Sequence, residues 1–352
     1  MKNILFIMPF LGRTGAERVI FNLVNNIDSK MYRAHILLYS DDIERNTLLS
    51  GLNPNIPVNF LNVKGRARYN VHKILFGIRN YCKKNAIDTL LISDGTANAF
   101  ISPFLFLLGR QVKKIARESN LPSLYEKSFL AKVFYKVFYN NYDVIVVQSD
   151  DMLADMTMKM GVLNSKIIKI NNPVDIALIK EMSDRLSEIK LSNSKINLLS
   201  IGRLTYQKGY DILLDAFSKI KNEDLHLTIV GVGEEKDNLI AQAVRLGLKN
   251  NVTFIPSTDN PYALMRNADV FISCSRWEGY PNVVIESIAC GTPVLANDYP
   301  GGINEILDGE NGYICDLKND LAVGLKYVSG LSEVTFDKEK MSEIYKKYES
   351  IY

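Results

Sequence analysis

The 352 residues exceed what one hydrophobic core organises, since cores stop growing at about 250–300 residues, so two domains are expected. Hydrophobic residues at 47% and charged residues at 23% exclude an intrinsically disordered chain. The formal net charge of +3 conceals an asymmetry, because residues 1–150 hold 20 Lys/Arg against 11 Asp/Glu while the rest of the chain is net acidic. The two halves then face different partners.

The opening MKNILFIMPFLG has a short apolar run, contains Pro9 and leads to no small-residue cleavage site, which makes it a first buried strand rather than a signal peptide. A helix is expected from about Gly15, after the loop PFLGRTGAERV. Gly12 and Gly15 in that loop permit close backbone approach to a ligand, whereas Glu17 and Arg18 read equally well as an ordinary helix-start pair. The runs AHILLYS, VNFLNV, DTLLIS, VKKIAR and DVIVVQS follow, separated by helical stretches, as buried parallel strands joined by crossover helices. Two of them lead into the loops Ser93-Asp94-Gly95 and Ala116-Arg117-Glu118-Ser119-Asn120. The most apolar later run, residues 99–108, is broken by Pro103 and falls short of the roughly 20 residues a spanning helix needs.

After Asn171-Asn172-Pro173-Val174-Asp175 the pattern restarts with INLLSIG, LHLTIVG, NVTFIP, ADVFIS and TPVLAN. Pro173 restricts the chain on both sides, so a hinge is expected there, dividing residues 1–172 from residues 173–335. Residues 336–352 have apolar positions at Met341, Ile344, Tyr345 and Tyr348, a helix able to pack on either domain or cross back to the first. The expected fold is α/β, with two Rossmann-like doubly wound domains facing across a cleft and ligands at the carboxyl ends of the strands.

Cys82, Cys274, Cys290 and Cys315 have no CxxC spacing and only three histidines exist, so neither a zinc cage nor a disulfide framework is indicated, and a reducing cytoplasm is expected. No Asp-x-Asp spacing occurs that would hold a divalent ion on phosphates, so no metal or cofactor is expected. Cation work would fall to Ile201-Gly202-Arg203-Leu204-Thr205-Tyr206-Gln207-Lys208-Gly209, where Arg203 and Lys208 share one strand-to-helix loop and either converge on a diphosphate or are solvated cations. IVGVGEE offers Gly231-x-Gly233 after a strand but has Lys236 where a dinucleotide fingerprint needs a third glycine.

The stretch SRWEGYPNVVIE holds the single tryptophan and two carboxylates. Asn282 reads as a helix N-cap with Glu286 about one turn inside, and Glu278 lies in the preceding loop beside the backbone N–H groups of Gly279, Tyr280, Pro281, Asn282 and Val283, Pro281 excepted. Two carboxylates in series suit the paired hydroxyls of a ribose and a sugar. Alternatively Glu286 is a favourable charge near a helix N-terminus and Glu278 a solvated loop residue.

Residues 60–140 contain 14 Lys/Arg and 4 Asp/Glu, interleaved with aromatic residues in RARYNVHKILFGIRNYCKK and SLYEKSFLAKVFYKVFYNNYD. Such a surface seeks anionic lipid, while the alternative is a core-packed helix with its lysines in solvent. No recognition motif accompanies the charge, so nucleic acid is not an expected partner.

Taken together, GRLTYQKG, IVGVGEE, FIP, ADVFISCSRWEGYPNVVIESIACGTPVLA and PGGINEIL resemble glycosyltransferase family 4, retaining enzymes of GT-B architecture, and GAERV is similar to a subset that builds bacterial surface polysaccharides. The resemblance implies that Arg203 and Lys208, on the loop opened by Gly202, hold a donor diphosphate. It implies that Glu286 binds the nucleotide ribose, that Glu278 with residues 279–283 holds the donor sugar, and that Gly231 and Pro256 flank the base. Arg203, Lys208 and Glu278 would be the catalytic set, and Gly15 would approach the donor. Front-face attack, with the departing phosphate helping to take the acceptor proton, would retain the anomeric configuration without a protein nucleophile. Two positions depart from the pattern: Thr14-Gly15 stands where many relatives have two glycines, and the loops holding Asp94, Arg117 and Glu118 lack the histidine common in relatives. Those three residues are the candidate acceptor contacts, with Arg117 and Glu118 reading at least as well as salt-bridged loop residues. The function implied is metal-independent transfer of a hexose or N-acetylhexosamine from a nucleotide-diphosphate sugar, UDP by preference, to a lipid-linked glycan acceptor in capsule, O-antigen or related polysaccharide synthesis. The chain would then be cytoplasmic and peripherally associated with the inner membrane. A nucleotide-sugar epimerase of the same architecture and a catalytically silent binding homologue are the alternatives.

Overall fold

A computed structural model describes residues 1–65, 67–220, 222–331, 334–336 and 339–352. Arg66, within the basic stretch, and Asp337 and Lys338, at the start of the expected last helix, lie outside the described residues. The chain divides into two compact units, Met1–Pro173 together with Glu339–Tyr352, and Val174–Lys338.

In the first unit β1 (Lys2–Met8), β2 (Tyr32–Leu38), β3 (Val58–Phe60), β4 (Thr89–Ile92), β5 (Lys113–Arg117), β6 (Val144–Val147) and β7 (Ile167–Lys169) form one sheet in the order β3-β2-β1-β4-β5-β6-β7. Every pairing is parallel. Ile4, Leu5, Phe6 and Ile7 of β1 are fully buried, as a central strand covered on both faces requires, which is why its sequence is a continuous apolar run rather than an alternation. The expected strand VNFLNV shrinks to three residues at the sheet edge, although Leu61 and Val63 still donate to the carbonyls of Leu38 and Tyr39.

The second unit repeats the design with β8 (Ile196–Ile201), β9 (Leu225–Val230), β10 (Val252–Ile255), β11 (Val270–Ser273), β12 (Val294–Asn297) and β13 (Gly312–Cys315) in the order β10-β9-β8-β11-β12-β13. Its helix Tyr210–Phe217 buries Tyr210, Leu213, Leu214 and Phe217, one helical face, against Leu198, Leu227 and Ile272 of the sheet. Two edge strands, β7 and β13, were not among the expected elements. Each spans three or four residues and is only partly buried, so neither has the long apolar run that betrays a central strand.

Helix Glu339–Ser350 belongs to the first unit. Met341, Ile344 and Tyr348 are buried, and the Tyr352 ring meets the Phe6 ring edge-on at 5.8 Å. Lys2 Nζ donates to the Tyr352 carbonyl at 2.9 Å and the Tyr32 hydroxyl to the Glu349 carbonyl at 3.0 Å. Tyr348 suits this seam because its ring is buried while its hydroxyl accepts from Arg117 Nε, whereas the Tyr352 hydroxyl is buried with no hydrogen-bond partner among the described residues.

In both sheets the chain order reverses beside the first strand of the unit, between β1 and β4 and between β8 and β11. Loops leaving such neighbours in opposite directions open a crevice at the carboxyl ends, the usual ligand position in sheets of this kind.

Candidate active site

At the β8/β11 reversal the structure brings together Lys208, from the loop after β8, and Glu278, from the loop after β11. Lys208 Nζ lies 2.5 Å from Glu278 Oε1, with the two side chains 16% and 11% exposed. The same oxygen accepts from the Ser275 hydroxyl at 2.6 Å, and Gln207 Nε2 lies 3.4 Å from Glu278 Oε2 while donating to the Trp277 carbonyl at 2.9 Å. A buried carboxylate is tolerated here because it is paired and hydrogen-bonded. Ser200, Ser273, Ser275 and Val283 line a small recess beside Lys208.

A second ionic clamp holds the two loops to each other. Arg276 donates to both Asp211 oxygens at 2.8 and 2.6 Å and to the Tyr206 carbonyl at 2.7 Å, with its guanidinium 4.0 Å above the Tyr206 ring. Burial pushes the Asp211 carboxyl up, but the Arg276 bonds outweigh it and leave the group below the ordinary carboxylate range. Two glycines let the backbones close. Gly209 has φ +67° and a Cβ there would sit 2.1 Å from the Cys274 carbonyl oxygen; Gly301 has φ +124° and a Cβ would sit 1.9 Å from that of Glu278. The Thr205 hydroxyl and the Trp277 indole N–H are buried with no hydrogen-bond partner among the described residues, the kind of orphan that asks for an explanation in a functional loop.

The other expected donor contacts are placed as follows. Arg203 is exposed and makes no ion pair among the described residues. Gly202 and Gly231 are in backbone contact, since a Cβ on Gly231 would meet the Gly202 carbonyl oxygen at 1.9 Å. The Gly231 N–H donates to the Ile255 carbonyl at 2.8 Å, which sets Gly231 beside exposed Pro256. Gly279, Pro281 and Asn282 are buried, whereas Tyr280 and Val283 are half-buried. Asn282 is the first residue of helix Asn282–Ala289 and Pro281 occupies the cap, so the expected asparagine cap is corrected: the chain enters the helix through proline, whose φ is already near helical. Glu286 is 4% exposed on that helix, and the helix stops before Gly291 at φ +84°.

In the first unit Asp94 follows β4 at the other reversal point and caps helix Gly95–Ile101 by accepting from the Ala97 N–H at 3.2 Å. Burial, helped by Glu126, pushes its carboxyl up to about 6 against the backbone bonds that lower it. Arg117 is not a loop residue but the last residue of β5, fully buried, donating to Tyr348 Oη, Ser93 Oγ and Asn172 Oδ1. Glu118 is 2% exposed and accepts from Asn98, Tyr135 and Tyr139, with burial pushing its carboxyl up to about 7. Direct acceptor contact therefore does not fit Arg117 or Glu118 as placed, because both are spent inside the unit. Gly15 is exposed at the start of helix Gly15–Asn26, and Gly12 is needed locally, since its Cβ would lie 2.8 Å from the Arg45 carbonyl oxygen.

Residues 183–343 match the family model described as glycosyl transferases group 1. The chain is 28% identical over 330 residues, 90% of its own length and 87% of the relative, to the Campylobacter jejuni N-acetylgalactosamine-N,N'-diacetylbacillosaminyl-diphospho-undecaprenol 4-alpha-N-acetylgalactosaminyltransferase. The chain has a GT-B fold and carries a glycosyl transferases group 1 domain over residues 183–343. The chain is also 35% identical over 120 residues, 34% of its length and 35% of the relative, to a lipopolysaccharide core biosynthesis glycosyltransferase of Rhizobium meliloti. Its fold matches the Anabaena Alr3699/HepE structure in complex with UDP-glucose at a TM-score of 0.75 and 19% identity, covering 99% of this chain and 100% of that one.

Sequence reading missed Ser275, Gln207, Arg276 and Asp211 as parts of this candidate site. Ser275 sits three residues before Glu278, a readable spacing, but Arg276 and Asp211 are 65 residues apart and nothing local joins them.

Proposed function

We propose that this glycosyltransferase moves a hexose or N-acetylhexosamine from a UDP-sugar to a lipid-linked glycan, with retention of configuration and without a divalent metal. The observation that carries the reading is the meeting of Lys208 and Glu278 at the β8/β11 reversal, next to the start of helix Asn282–Ala289. In this reading exposed Arg203 and the Lys208 ammonium take the diphosphate, Glu286 the ribose hydroxyls, and Glu278 with Gly279, Tyr280, Pro281, Asn282 and Val283 the donor sugar. Gly202 and Gly231 with Pro256 bound the base. As the bond from the anomeric carbon to phosphate breaks, charge develops on the leaving oxygen, where fixed cations are worth most. The acceptor hydroxyl attacks from the same face and its proton passes to the departing phosphate. Asp94 is the acceptor-side contact, held in place by the network around Arg117 and Glu118.

The acceptor class is supported by the name of the Campylobacter relative, which acts on a diphospho-undecaprenol glycan, and the donor by the UDP-glucose in the Anabaena structure. The deciding experiment incubates the purified protein with a panel of UDP-sugars and undecaprenyl-diphosphate glycans, with and without a chelator, and identifies products by mass spectrometry and anomeric proton couplings. A new α-linked glycan from an α-linked donor, unaffected by chelation, is expected. Donor conversion without acceptor would indicate an epimerase, and neither donor binding nor turnover would sink the reading.

A further inference from the structure

Glu278 is held by three donors. Its Oε1 takes the Lys208 ammonium at 2.5 Å and the Ser275 hydroxyl at 2.6 Å, and Gln207 Nε2 lies 3.4 Å from its Oε2. A carboxylate offers about four acceptor positions, so little of this one is left over. Two neighbouring hydroxyls of a sugar need more than that. In the donor reading Glu278 therefore gives up a partner when it takes the sugar, and Lys208 is the partner that another anion, the diphosphate, can claim.

Both loops are anchored through their backbones, which confines such an exchange to side chains. The Glu278 N–H donates to the Pro300 carbonyl at 3.0 Å, and Gly301 packs against the Glu278 carbonyl. The Lys208 carbonyl accepts from Cys274 Sγ at 3.1 Å, and Gly209 closes on the Cys274 carbonyl. Between these anchors the Lys208 stem passes Gly202, where a Cβ would lie 3.4 Å from Lys208 Cε. A four-carbon stem can turn its ammonium from one anion to another without moving the loop. A phosphate at that ammonium would stand next to the Glu278 carboxylate. Both side chains are mostly buried, so the two anions are poorly screened from each other and compete for the one cation.

We infer that Glu278 competes with the diphosphate for Lys208, so that the pair favours a sugar nucleotide over the nucleoside diphosphate left after transfer. When a sugar is attached, its hydroxyls replace the ammonium at Glu278 while the phosphates take Lys208. With the nucleoside diphosphate alone nothing replaces it, Glu278 reclaims Lys208, and the spent nucleotide is held less tightly. The inference rests on the donor reading of Lys208 and Glu278 and adds to it a means of product release.

The test is calorimetric UDP binding to wild type, Glu278→Gln, Ser275→Ala and the double variant, with thermal unfolding to show that each is folded. Glu278→Gln deletes the competing charge at nearly constant shape, and UDP should bind about tenfold more tightly, the change expected from one charged hydrogen bond. Ser275→Ala takes a donor from Glu278 Oε1, leaves the carboxylate more dependent on Lys208 and should weaken UDP binding about threefold. Added to Glu278→Gln, the same substitution should have no effect, because the charge it acts through is gone. A mere packing defect would weaken UDP binding in both single variants. Uridine, which brings no phosphate, should bind wild type and Glu278→Gln alike, and a matching gain for uridine would overturn the competition. UDP binding that is unchanged or weaker in Glu278→Gln overturns it too and leaves the donor reading standing. If Glu278→Gln does not fold, Ser275→Ala decides alone, and UDP binding as tight as wild type or tighter overturns the inference. Wild-type protein that binds no UDP removes the donor reading and the competition with it.

Discussion

Replacing Lys208 by methionine separates the structural from the catalytic value of the Lys208–Glu278 pair. The substitution keeps the stem and deletes the ammonium, leaving Glu278 buried with the Ser275 hydroxyl at 2.6 Å and Gln207 Nε2 at 3.4 Å. Orphaning a buried ion outright costs about 3–5 kcal/mol, and losing one charged hydrogen bond about 1.5–3 kcal/mol. The remaining donors place this case near the lower figure, about 2 kcal/mol. A domain stable by about 5–15 kcal/mol stays folded after that loss, so any collapse of activity must come from the site. If the ammonium stabilises the departing diphosphate, transfer should fall by about 10²–10³-fold and UDP should bind more weakly. Thermal unfolding, UDP titration and initial transfer rates are measured on Lys208→Met, Glu278→Gln and the double variant. A coupling of about 2 kcal/mol in stability between the two positions is expected. Should Lys208→Met lose that stability yet keep its transfer rate and UDP affinity within about threefold, the pair is a structural bridge and the assignment to phosphate is wrong.

Arg203 gives the complementary outcome: exposed and outside any described ion pair, it should change stability by less than about 0.5 kcal/mol when mutated to alanine while lowering transfer about 100-fold, as melting curves and initial rates will tell. Gly209→Ala forces φ +67° on a residue with a Cβ aimed at the Cys274 carbonyl and should destabilise the second unit by at least about 2 kcal/mol in denaturant titration, with loss of transfer, because Lys208 precedes it directly. Glu118, pushed up to about 7 by burial from an ordinary 4.5, favours the folded state most when protonated. Its contribution is full below pH 4.5 and lost as pH rises through 7, up to about 3 kcal/mol, and Glu118→Gln should flatten that slope in unfolding experiments at pH 5 and pH 8.

The alternation of apolar runs with helical stretches made both Rossmann-like sheets legible, because a strand buried on both faces must be apolar throughout and a crossover helix must show one apolar face. Edge strands β7 and β13 escaped for the converse reason, being short and half-solvated. That Arg203, Lys208 and Glu278 stand after strands β8 and β11 likewise lay open to reading, because each follows an apolar run and precedes a helical one.

What the linear chain determined was thus local: which residues pair with the sheet, where helices start and stop, and which loops hold charge. Only folding decided which distant charges meet. It set Lys208 against Glu278 and Arg276 against Asp211, drew Arg117 and Glu118 inside, and laid the last helix over the first unit through Tyr348 and Tyr352. Each of those pairings depends on how strands order side by side and how closely glycine lets two loops approach, and neither distance is encoded by spacing along the chain.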